Sequence, residues 1–145
     1  MYLLGRIHIH DRKIPFHQIV DNKLIFEDCK NYPNSIKILD LEKHMIISEL
    51  AGFVQIIRTD SKPKSVDLDN EIMFYFSKET NSYGTYFVNS IDLNELTTIR
   101  LDTVITSGDP IDGYPTIDKI DSANREVIVS YIDKDYKNKS DLIYY

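Results

Sequence analysis

Cysteine occurs once, at Cys29, tryptophan is absent, and alanine occurs only at Ala51 and Ala123. A lone cysteine excludes an intramolecular disulfide and any zinc site built on a cysteine cluster, so a packed core has to stabilise the fold unaided. That usage fits a reducing, cytoplasmic compartment. Glycine is sparse too, with five residues and no GxGxxG or GxxxxGK[ST] arrangement, which argues against a phosphate-cradling loop and against nucleotide binding. Nucleophilic catalysis has no signature: GxSxG is missing and nothing in the sequence fixes a histidine beside Cys29. No stretch of about 18 apolar residues is present, the minimum for a membrane-spanning helix. The opening MYLLGRIHIHDRK has no basic leader and is interrupted by Gly5 and Arg6, so no signal peptide is expected and the protein is expected to be soluble and cytoplasmic.

What is there points to strands. A chain of 145 residues and 16.9 kDa has the length of a single domain, residues 1–145, able to bury roughly two-thirds of its unfolded surface. Twenty-one isoleucines, ten tyrosines and six phenylalanines favour pleated surfaces over helices. The expected fold is mostly β: one antiparallel β-rich domain, a sandwich or partly open barrel, with one or two short helices. A first hairpin is read from Ile14–Val20 and Lys23–Asp28 around Asp21-Asn22, residues tolerant of left-handed conformations. A second joins Glu71–Ser77 to Thr85–Asn89, with Gly84 expected at positive φ. Further strands are expected at Tyr2–Ile9, Phe53–Thr59, Thr97–Thr106 and Glu126–Ile132. Asp40–Ala51 reads as a helix, from an aspartate N-cap to Gly52, although His44-Met45-Ile46-Ile47 suits a strand equally well. Ser90–Leu96 has the spacing of one helical turn with a weak capping box.

One internal echo stands out. NKLIFED followed by SIKILDLEKHMII resembles NEIMFYF followed by NSIDLNELTTIRL about fifty residues later, near the period of a propeller blade. Three blades are fewer than the four or more with which a propeller closes, so a propeller-like binding module would need several copies of the chain. Any two amphipathic hairpins in an isoleucine-rich chain also look alike.

Two constellations invite metal chemistry. His8 and His10 share one face of a strand, with Asp11 adjacent, and the pattern is similar to the HxH of metal-dependent hydrolases. Those enzymes carry it on a far larger barrel with further ligands, and the plain alternative is an amphipathic strand with Ile7 and Ile9 turned inward. DKDYKNKSD places Asp133, Asp135 and Asp141 near alternate positions, but Lys137 and Asn138 stand where a calcium loop needs an oxygen ligand and glycine. A solvated polar turn is expected there. No metal and no cofactor are assigned.

The charge pattern is more informative. With 17 basic and 23 acidic residues the formal charge is −6, unsuited to gripping a phosphate backbone. Residues 1–26 are basic by two, so the acid lies beyond them. Five aspartates against one lysine fill Asp102–Asp121, and Asp67, Asp69, Glu71 and Glu79 against Lys78 fill Val66–Glu79. If these segments meet, they form a negative surface that steers a basic partner, with Tyr114 as aromatic anchor.

With DTVITSGDPIDGYPTIDKID, VDLDNE and the scarcity of glycine and alanine, the chain resembles the immunity proteins of bacterial polymorphic and contact-dependent toxin systems in overall character. That resemblance implies a small non-enzymatic protein that binds one basic toxin, often a nuclease, and occludes it, with carboxylates standing in for nucleic-acid phosphates. Charge and loop content nominate Asp67, Asp69, Asp109, Asp112, Tyr114, Asp118 and Asp121 as partner-binding residues. The expected partner is a cognate basic protein toxin, with neither nucleic acid nor membrane involved.

Overall fold

The computed structural model describes residues 17–28, 35–50, 53–55, 65–79, 81–109 and 113–145. The protein is mostly β, as the composition predicts, with twelve strands and no helix among the described residues. No helix among those residues is long and apolar enough to cross a membrane. The chain divides into two compact units, residues 1–52 and 53–145.

In the first unit, β1 (His17–Val20), β2 (Lys23–Asp28), β3 (Ser35–Asp40) and β4 (Met45–Leu50) form an antiparallel meander in chain order. The predicted hairpin is present: Val20 pairs with Lys23 across Asp21-Asn22, and Asp21 takes a φ of 53°. Ile25, Ile36 and Ile38 are completely buried. Lys37 and Asp28 form an ion pair of 2.6 Å across β2 and β3, which holds the lysine above its ordinary value.

The second unit contains two sheets. One is built from β5 (Phe53–Gln55), β6 (Val66–Asp67), β7 (Ile72–Lys78), β8 (Thr85–Asp92) and β9 (Thr98–Ile105), with β5 and β6 both pairing with β7. The other is the meander of β10 (Thr116–Asp121), β11 (Glu126–Ile132) and β12 (Asn138–Tyr144). Every residue from Ile72 to Phe76 is buried, so β7 is covered on both faces. Val127, Val129 and Ile143 bury one face of the third sheet.

The helix expected over Asp40–Ala51 is instead the end of β3, a four-residue turn and β4. Asp40 does cap, but it caps a turn: its Oδ1 accepts the N–H groups of Glu42 and Lys43, both at 2.9 Å. His44 then takes a left-handed φ of 57°, which reverses the chain instead of propagating a helix. Ser90–Leu96 repeats this arrangement. Ser90 to Asp92 finish β8, Asp92 Oδ1 accepts from Asn94 and Glu95, and Leu96 has φ 59°. Gly84 also differs from expectation. It is not at positive φ; glycine is required because a Cβ there would lie 2.6 Å from the carbonyl oxygen of Thr106.

The echo in the sequence corresponds to a repeated local structure. An aspartate-closed turn ending in a left-handed residue recurs at Asp40/His44, Asp67/Glu71, Asp92/Leu96, Asp121/Arg125 and Asp133/Tyr136. One backbone bond recurs in all three meanders: Leu41 N–H to Asn22 O, Leu93 N–H to Glu71 O, and Tyr145 N–H to Arg125 O. These bonds make β3, β8 and β12 equivalent, and likewise β2, β7 and β11. The side-chain carboxylate supplies the turn acceptor, so a chain with five glycines still reverses direction repeatedly.

Candidate binding surface

The two acidic segments do meet, inside the second unit. Asn70 Nδ2 donates to the carbonyl of Ser122 at 3.1 Å, and Ser122 Oγ donates to Asp67 Oδ1 at 2.7 Å, joining the β6–β7 turn to the β10–β11 turn. Asp67, at 1% exposure, is buried in this junction. Its oxygens also accept from the Asp69 and Asn70 N–H groups, from Asn70 Nδ2 and from Tyr145 OH at 2.6 Å. Burial by itself would raise its pKa. The donors from Ser122, Tyr145 and Asn70 outweigh that and lower it to about 2.

Tyr145 closes the junction. Its ring packs edge-on against Phe74 at 4.7 Å, and the Arg125 guanidinium stands 5.1 Å from the ring centroid while Nε donates to the Tyr145 carbonyl. Burial and the hydrogen bond to Asp67 push its phenol well above the ordinary value. Asp121 repeats the local chemistry of Asp67: Asn124 Nδ2 donates to it at 2.9 Å, as Asn70 Nδ2 donates to Asp67 at 2.7 Å. That side-chain bond, with the Asn124 N–H, lowers the Asp121 pKa. Both aspartates nominated here therefore serve turns. Asp-x-x-Asn at both places was a readable signal for this role; the parts played by Ser122 and Tyr145 had none.

Asp69 and Asp118 are exposed, on the β6–β7 turn and on β10. Asp109 is half-buried in the loop after β9, where its N–H donates to Ser107 Oγ and its carbonyl accepts from Gly113. Tyr114 is half-buried against Tyr86, with centroids 6.1 Å apart. Asp112, His8, His10 and Cys29 lie outside the described residues. Among the described residues, no group of three or more His, Cys, Asp or Glu side chains has the arrangement of a metal site. His44 is exposed on its turn.

A second aromatic sits beside the acidic loop. Gly108, at φ 75°, runs against the backbone of Tyr83 in the β7–β8 loop, so closely that a Cβ would lie 2.8 Å from the Tyr83 carbonyl oxygen. Tyr83 is 86% exposed, with the Lys78 ammonium 5.7 Å from its ring centroid. Tyr83 is thus exposed beside Gly108, the residue before Asp109, whereas Tyr114 is half-buried, and linear sequence separates Tyr83 from that loop by more than twenty residues. No known family, curated protein or solved structure matches the chain.

Proposed function

We propose that this is a non-enzymatic binding protein, a repeated β-meander scaffold whose acidic surface, with Tyr83 as its aromatic anchor, takes up a basic protein partner. The observation that carries the reading is the recurrence of one turn and one backbone bond in three meanders. Repeated hairpins of this kind place their turns and loops at the ends of a rigid sheet, the position from which recognition residues are presented. The carboxylates of Asp69, Asp109 and Asp118 then supply the charge that attracts the partner, while Asp67 and Asp121 hold the turns that present them. Inhibition of a bacterial toxin, the activity implied by the resemblance to immunity proteins, is the sharpest form of this reading. It is favoured by the net charge of −6 and by the meeting of the two acidic segments in one unit.

The test is retention of a single basic protein, near equal stoichiometry, on the immobilised chain at moderate salt. Retention is expected to fall at least tenfold with Asp69→Asn, Asp109→Asn and Asp118→Asn combined, and separately with Tyr83→Ala. Equal retention by all the variants would sink the surface assignment. No retained protein from the native lysate would sink the binding reading itself.

A further inference from the structure

We infer that β12 is a self-association edge, pairing antiparallel with β12 of a second copy of this chain. The shared backbone bond makes β12 the counterpart of β3 and β8, and each of those is followed in its sheet by a fourth strand, β4 or β9. Among the described residues β12 is paired with β11 alone, so the ladder donors and acceptors of its outer edge have no strand partner among them.

The side chains of β12 specify what that edge accepts. Antiparallel pairing centred on Ser140 sets Lys139 opposite Asp141 of the second copy, and Asp141 opposite its Lys139, on one face of the extended sheet. Asn138 then faces Leu142, and Tyr144 comes toward Tyr136 of the second copy. Leu142 and Tyr144 on β12 and Tyr136 on the turn before it are 50%, 67% and 72% exposed, apolar and aromatic area that such a pairing would cover. Moving the two-fold centre by one residue sets Lys139 or Asp141 against itself across the axis, so the charges favour the alignment on Ser140. Lysine commonly guards an edge strand against such pairing; here the aspartate two residues on cancels the guard for an identical strand only. Each charge has one partner within its own copy and capacity for another: Asp141 accepts a bond from Tyr131 OH at 2.9 Å, and Lys139 forms a long ion pair of 3.9 Å with Asp133 while its side chain stays half exposed.

Sedimentation equilibrium of the full chain tests this. A species of twice 16.9 kDa is expected to grow with concentration and to dominate near ~0.1 mM. Lys139→Glu alone sets Glu against Asp141 at both pairs, and Asp141→Lys alone sets lysine against lysine. Each is expected to weaken self-association at least about tenfold, while an equimolar mixture of the two variants restores a dimer, because both cross-pairs are again opposite in charge. Circular dichroism establishes that each variant is folded. A monomeric wild type at that concentration would overturn the inference, whether residues of the same chain or nothing covers the edge. A dimer indifferent to both charge reversals would overturn it equally.

Discussion

Replacing Asp67 with asparagine preserves shape and removes charge from a buried carboxylate that is heavily hydrogen-bonded. Five donors converge on it from Asp69, Asn70, Ser122 and Tyr145, so the substituted amide turns its own N–H groups toward at least one of Ser122 Oγ, Asn70 Nδ2 and Tyr145 OH. The pKa falls from 3.8 to about 2 on folding. At about 1.36 kcal/mol per unit this corresponds to about 2 to 3 kcal/mol of stability. Because the folded value is the lower one, that stability is fully present above the unfolded value and is lost as pH falls through the folded one. Asp67→Asn is therefore expected to cost about 3 kcal/mol at pH 7, with roughly half of the charge-dependent part gone by pH 3. Urea unfolding followed by circular dichroism at both pH values measures the gap. A loss under about 0.5 kcal/mol at pH 7, or a gap of equal size at pH 3, would refute the claim that the junction depends on an ionised Asp67.

Two further substitutions test the turns. His44→Gly relieves a left-handed residue on an exposed turn and is expected to stabilise by about 0.5 to 1 kcal/mol, seen as a small rise in Tm, whereas an unchanged or lower Tm would argue that His44 holds the turn through its side chain. Gly84→Ala drives a methyl group into the Thr106 carbonyl and is expected to cost about 1 to 3 kcal/mol at every pH, and a neutral effect in the same unfolding assay would show that the β8–β9 ladder gives way there.

Asp40 shows why one local signal led to two different structures. A carboxylate accepting the N–H groups two and three residues on is the chemistry of a helix N-cap and of an aspartate-closed turn alike. What separates them is the φ of His44, and histidine announces neither outcome. Met45-Ile46-Ile47 then joins β4 because β3 offers a ladder. The repeat was visible as an echo, and its Asp40-Leu41 and Asp92-Leu93 pairs are true counterparts. The hydrogen bonds align Asn22 with Glu71, however, where the letters suggest Asn70. A slip of one residue exchanges the faces of a strand, so an echo in polarity cannot set register.

Composition determined the β class, because isoleucine and tyrosine abundance with two alanines biases the whole backbone toward extended chain. Short-range chemistry determined the Asp21-Asn22 hairpin and the limits of Lys23–Asp28 and Glu126–Ile132, since a two-residue reversal and an apolar run are local properties. Only the tertiary structure decided which aspartates face solvent. Asp67 and Asp69 are two residues apart with the same charge, yet one is enclosed by donors from residues 122 and 145 while the other is exposed. Burial of a carboxylate depends on distant groups that can satisfy it, and their approach is fixed by the packing of whole sheets.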